Sequence, residues 1–136
     1  MYTVRRKQTI DDELVIENSK GEEALRLPVK LHIDDILARY NRLRAMLGEA
    51  QHKLAEHPAD EAALTAYGMI LTELFSLIFG KDGCERLMAF YGDEDEEKCR
   101  WTEMLMDVAP FVSDVINPQV QAAMKERAER FRQMSR

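Results

Sequence analysis

Apolar positions recur along this 136-residue chain in two rhythms. Over residues 2–33 the rhythm is short. Tyr2-Thr-Val4 can start a strand, and Glu13-Leu-Val-Ile-Glu17 is a β-branched run. Asn18-Ser-Lys-Gly21 supplies turn formers, with Gly21 able to take positive φ at no steric cost. Ala24-Leu-Arg-Leu27 alternates apolar and charged up to Pro28, and Val29-Lys-Leu-His-Ile33 alternates again. Two such runs across a short glycine-containing loop predict a β-hairpin. Pro28 has no N–H to donate, so its strand should be an edge, or bulged there. A lone hairpin is marginal in water and must pack on something.

From Asp34-Asp35, acids placed to favour a helix start, the rhythm lengthens. Ile36, Tyr40, Leu43, Leu47, Ala50 and Leu54 follow at alternating spacings of four and three, which predicts a helix with a narrow apolar seam. His57-Pro58 stops it. Asp60 opens a second helix, whose seam of Leu64, Tyr67, Leu71, Leu74 and Ile78 runs to Gly80. The short link between the two favours an antiparallel helical hairpin. Lys81 to Tyr91 reads as a short helix, and Gly92 with Asp93-Glu-Asp-Glu-Glu97 as a loop or an exposed helix start. Trp101, Met104, Leu105, Val108, Phe111, Val112, Val115 and Ile116 then lie on one broad apolar face. Pro110 should kink this stretch or begin a new helix, and Asn117-Pro118 marks another break. Val120, Met124, Ala128 and Phe131 stripe a last amphipathic helix. The expected fold is mainly α with a small N-terminal β-hairpin: one domain over 1–136, with a hairpin region 1–33 and a helical region 34–136.

Composition narrows the class. Hydrophobic residues are 46% and charged residues 32% of the chain, the profile of a soluble, helix-leaning globular protein. No uncharged run approaches the roughly 20 residues that span a bilayer. The basic start Met1-Tyr-Thr-Val-Arg-Arg-Lys7 has no apolar run behind it and does not read as a secretory signal. The net charge of −6 argues against binding a phosphate backbone. Residues 119–136 are locally basic, but cations suit the last turns of a helix. Neither nucleic acid nor membrane is an expected partner.

Candidate chemistry is sparse. Asp93, Asp95 and Glu97 could open a calcium loop, but Lys98 stands where that motif needs Gly and Met104 where it needs Glu. His52 and His57 are five apart, off the spacing that puts two ligands on one helical face. His57 sits at a helix end, and His32 precedes Asp34-Asp35, where an ion pair is expected. Cys84 and Cys99 read as small core hydrophobes in a reducing compartment. There is no G-x-S-x-G, no glycine-rich phosphate loop and no serine with an adjacent histidine. The expectation is a protein that is not an enzyme and uses no cofactor.

What remains is apolar surface. Eight methionines are many for this length, and flexible thioethers suit irregular partners. The helix around Pro110 is apolar on more than one side, so it must be central or bury a second face against another chain. Val108, Phe111, Val112 and Val115, with the stripe Val120, Met124 and Phe131, are therefore the expected partner or self-association surface.

The order of segments resembles a known family. The hairpin Asp11-Asp-Glu-Leu-Val-Ile-Glu17 and Ala24-Leu-Arg-Leu-Pro28 precedes Asp34-Asp-Ile-Leu-Ala-Arg-Tyr40. Glu73-Leu-Phe-Ser-Leu-Ile-Phe-Gly80 leads into Glu85-Arg-Leu-Met-Ala-Phe-Tyr91, and Trp101-Thr-Glu-Met-Leu-Met-Asp-Val-Ala-Pro-Phe-Val112 follows. This layout resembles the tail assembly chaperones of long-tailed phages and prophages of Gram-positive bacteria. The resemblance spans nearly the whole chain and rests on apolar spacing. It departs at Gly92-Asp-Glu-Asp-Glu-Glu97, more acidic than the short glycine- or asparagine-rich turn of the family.

The resemblance implies a non-enzymatic chaperone that covers the tape-measure protein before the tail tube forms around it. The major tail tube protein is a further implied partner, and self-association is expected. Such a protein acts in the host cytoplasm and is absent from the mature virion. The competing expectation is a structural virion protein, such as a head–tail connector or tail-completion subunit.

Overall fold

The computed structural model describes residues 1–5 and 8–135. Of the basic start and basic tail, Arg6, Lys7 and Arg136 lie outside the described residues. The architecture is the expected one, a two-stranded antiparallel hairpin followed by helices.

Strands β1 (Thr9–Glu17) and β2 (Glu23–His32) pair antiparallel, with Leu14 opposite Leu27. The turn between them has Gly21 at φ 80°. Tyr2–Val4, expected to begin a strand, do not form one. The last paired residue of β2 is His32, opposite Thr9, so no strand residue remains for them to pair with. Pro28 fits its place by parity. The Ile33 N–H donates to Gln8 O at 3.1 Å, and alternation from that pair puts Pro28, opposite Glu13, at a non-hydrogen-bonded position. Its missing N–H therefore faces the open edge. The irregularity in the ladder falls elsewhere, between Ile16 and Glu17.

Period-two alternation gives the hairpin one apolar face. Ile10, Leu14, Leu27, Val29 and Leu31 are buried, and β2 packs on the central helix. On the outer face Arg26 bridges Glu13 and Glu23.

Helix α1 spans Ile33–Glu56. It begins one residue earlier than Asp34. His32 is its N-cap without a side-chain cap bond, and Asp34 and Asp35 lie inside the first turn. The ion pair expected between His32 and these acids is not found among the described residues, because Asp34 pairs instead with Arg127 of the last helix. His57 caps the C-terminus, its N–H donating to Lys53 O at 2.9 Å.

Helix α2 (Glu61–Phe90) starts at Asp60, whose carboxylate accepts the N–H groups of Ala62 and Ala63 at 3.0 and 3.2 Å. It is two segments meeting at Gly80, which adopts φ 80° and ψ 166°, a conformation essentially closed to other residues. The second segment closes on the hairpin: a Cβ at Gly83 would stand 3.0 Å from Phe79 Cβ and 3.9 Å from Leu27 Cδ2. By length and composition α2 is apolar enough to cross a membrane. In this fold it is the central helix, with Tyr67, Leu71, Leu74, Phe75, Ile78 and Leu87 buried. It packs antiparallel on α1, as the short link requires.

After Tyr91 the chain reverses through Asp93 and Glu94, both at positive φ, and a 3₁₀ turn at Glu96–Lys98. Gly92 makes this possible, since a Cβ there would lie 1.9 Å from Asp95 O.

Helix α3 (Trp101–Phe111), a π turn (Val112–Ile116) and helix α4 (Asn117–Met134) follow without interruption. The breaks expected at Pro110 and Asn117-Pro118 do not occur. Each proline lacks an N–H and crowds the carbonyl one turn back. The wide turn between them, closed by the Asn117 N–H on Val112 O, takes up the misfit within a continuous helical path. The core runs from Ile10 of the hairpin through α1 and α2 to Ile116 and Val120.

Candidate functional site

The apolar excess anticipated around Pro110 has two possible destinations, and the structure separates them. Val108 and Val120 are fully buried, and Phe111 and Val112 are buried with them. These four belong to the chain's own core, which corrects the expected exposed surface; of them only Val112 reaches the wall of a surface groove. The physical reason is the π turn. By underwinding the path between α3 and α4, it carries the broad face of both helices onto α1 and α2. Val115 and Met124 are half-buried at the core margin. Phe131, with 64% of its surface exposed, alone of the seven stands in solvent. Leu64, expected in the α2 seam, is also 43% exposed.

A groove opens where α1, α2 and α3 meet. Its walls are Leu47 of α1, Leu74 and Phe75 of α2, and Leu105, Ala109 and Val112 of the α3 side, and its volume is about 250 Å³. Gly48 keeps it open, since a Cβ built there meets nothing within 4 Å. The floor is rigid. Phe75 packs edge-on to Phe79 at 5.8 Å, and Phe79 stacks on Phe111 at 6.0 Å. Arg44, Gln51 and Ser113 give the mouth a polar fringe.

One end of the groove is tied by Asn117. Its Oδ1 accepts from Tyr40 OH at 3.2 Å, from Arg44 Nη1 at 2.5 Å and from Gln121 Nε2 at 3.3 Å. Burial raises the Tyr40 hydroxyl above the usual phenol range, so it stays a donor. The site is thus an apolar slot on preformed helices, with a positive and hydrogen-bonding rim. Such a slot suits the apolar face of an amphipathic helix.

A second apolar depression, of about 350 Å³, lies on the other side of α2. Leu64, Met69, Met88 and Trp101 surround it over Gly68, and a Cβ at Gly68 would stand 3.4 Å from the Trp101 ring. Glycine here lets the indole lie directly on the α2 backbone.

Both thiols are inert by environment. Burial pushes Cys99 up to about 11 and raises Cys84, so neither is a thiolate near neutral pH. Cys84 Sγ donates to Thr72 O at 3.6 Å, and Cys99 Sγ lies 3.8 Å from Met104 Sδ. In the acidic run, Asp93 pairs with Arg100 at 2.6 Å, and Asp95 accepts the Glu97 N–H.

Sequence reasoning overlooked Gly48 and Phe75 as lining residues. A glycine set beside an apolar seam in a helix interior was the available signal, because it costs helix stability and needs a packing reason. Comparison of the chain with protein-family models, with curated proteins and with solved structures gives no significant match.

Proposed function

We propose that this protein is a non-enzymatic helix-binding chaperone of the phage tail assembly type, acting on the tape-measure protein in the host cytoplasm. The observation that carries the reading is the slot held open at Gly48, with the half-buried Leu47 and Leu105 at its surface and the buried Leu74, Phe75 and Val112 beneath them. A long helical client exposes apolar stripes before assembly, and a preformed apolar slot covers such a stripe one or two turns at a time. Weak, repeated contacts of this kind protect the client and still release it when tube subunits arrive. Supporting the same reading is the segment order that resembles those chaperones.

The test is co-expression with the tape-measure protein of the same phage or prophage. The client is expected in the soluble fraction with the wild-type chain and in the pellet without it. Gly48→Trp fills the slot with a ring and should abolish the protection while the variant itself stays folded. Equal solubility of the client with and without the chain would refute the proposal. Abundant peptides of this chain in purified virions would favour a structural tail component instead.

A further inference from the structure

We infer that the slot selects its helix by charge as well as by shape: Arg44 at its rim takes an aspartate or glutamate side chain that stands in line with the helix's apolar stripe, one turn beyond it. The inference rests on the helix-binding reading above and adds the chemistry of the segment that the slot prefers.

The slot has a direction. Leu47, Gly48 and Gln51 stand three, four and seven residues after Arg44, so the four form one row along about 10 Å of α1. On the facing wall Leu105, Ala109 and Ser113 recur every four residues. Asn117, four residues further on, accepts from Arg44, so Arg44 and Ser113 mark one end of the slot and Gln51 the other.

Arg44 is held in place but not neutralised. Its guanidinium lies over the Tyr40 ring, 6.0 Å from the centroid, and its Nη1 donates to Asn117 Oδ1 at 2.5 Å. Both of those partners are uncharged. No ion pair of Arg44 is found among the described residues, whereas Arg26, Arg100, Arg127 and Arg130 each have a carboxylate. The acids closest in sequence to the slot residues are turned elsewhere. Glu49 and Lys53 line the depression on the opposite side of α1. Asp107 accepts from the Tyr91 hydroxyl at 2.8 Å, and Asp114 accepts from the Ser113 hydroxyl at 3.1 Å. No acidic residue lines the slot among the described residues.

That arrangement fits a carboxylate. Only Nη1 of Arg44 is engaged among the described residues, which leaves the Nε–Nη2 edge to donate two parallel bonds to an Asp or Glu side chain. Surface ion pairs are weak partly because ordering two long side chains costs entropy. Asn117 and Tyr40 have already ordered one of the two. An apolar stripe seated against Leu47 and Leu105 also shields one side of the pair from water. A lysine at the same place on the bound helix sets like charges together, so the rim discriminates by repulsion as well as attraction.

Fluorescence anisotropy on the full chain tests this with three synthetic amphipathic helical peptides. They share one leucine stripe and carry Glu, Gln or Lys one turn beyond it at each end, so either helix direction brings a test residue to Arg44. The Glu peptide is expected to bind about threefold tighter than the Gln peptide and about tenfold tighter than the Lys peptide, with the gap narrowing as salt is added. Arg44→Gln keeps a donor for Asn117 and should remove the Glu preference while the Gln peptide still binds. Arg44→Glu should reverse the order of the Glu and Lys peptides. An unchanged Tm in the Arg44→Gln variant shows that fold loss is not the cause. Gly48→Trp should abolish binding of all three peptides, which locates them in the slot. Equal affinities for the three, lost together in Gly48→Trp, would overturn this inference and leave the helix-binding reading standing. A Glu preference that persists in Arg44→Gln would do the same. Peptides that do not bind, or that bind regardless of Gly48→Trp, would overturn both.

Discussion

The Tyr40 hydroxyl donates to Asn117 Oδ1 at 3.2 Å, joining α1 to the junction between the π turn and α4 across 77 positions of sequence. Tyr40 is fully buried, so this bond decides whether a hydroxyl inside the core is satisfied. Asn117→Ala should destabilise the fold by about 1–3 kcal/mol, because it strands that hydroxyl and frees Arg44. Tyr40→Phe should cost less, since Asn117 keeps Arg44 and Gln121. A double-mutant cycle by urea unfolding measures the difference, and additive costs would contradict the coupling.

Val120 and Phe131 lie on one helical stripe but should behave oppositely. Val120 is fully buried, so Val120→Ala is expected to cost about 2 kcal/mol in transfer and cavity terms. Phe131→Ala removes a larger side chain yet should leave stability within about 0.5 kcal/mol. Chemical denaturation of the two variants at a concentration where the chain is monomeric checks the contrast. Equal losses would mean that Phe131 is packed in solution.

At Gly48 the open slot separates stability from binding. Gly48→Ala should stabilise the chain by about 1 kcal/mol, because a helix-interior glycine is replaced where a Cβ meets no neighbour. The expected readout is a higher urea midpoint with an unchanged slope. A destabilised Gly48→Ala would show that the slot is occupied or closed.

Alkaline pH should unfold the chain through groups it keeps protonated. Burial pushes Cys99 up to about 11 from 9.0 and Tyr67 to about 12 from 10.0. The folded state then holds protons that the unfolded chain releases, so stability falls as pH rises. The Cys99 contribution is complete below pH 9 and lost by about 11, and the Tyr67 contribution is complete below 10 and lost by about 12, each about 3 kcal/mol. Urea midpoints measured upward from neutral pH should stay level and then decline across that window. Both thiols should react with an aromatic disulfide reagent far more slowly in native than in denatured protein.

The turn after Tyr91 carries local strain with a simple remedy. Glu94 sits at φ 74°, in the left-handed region, with its side chain in solvent. Glu94→Gly should stabilise by up to about 1 kcal/mol, whereas Gly92→Ala should be strongly destabilising because its Cβ would overlap Asp95 O. Thermal unfolding of both variants should move Tm in opposite directions.

Elements written in local rhythm were legible from the chain alone. The β-branched run Glu13–Glu17 and the alternation in Ala24–Leu27 and Val29–Ile33 specified the hairpin, and seams at spacings of three and four specified α1 and α2. Asp60, His57 and Gly80 marked boundaries through backbone chemistry that acts within one turn. The breaks expected at Pro110 and Pro118 misled, because a proline's local penalty can be absorbed by a π turn that only the packed core holds in place. The same limit governed the site. Val108 and Phe131 carry the same apolar signal, and hydrophobicity has no direction in sequence. Which of them meets the core depends on how α3 and α4 wrap onto α1 and α2. Gly48 shows this most plainly: its residue type permitted a gap, but only the approach of Leu74, Leu105 and Val112 from distant segments turned that gap into a slot.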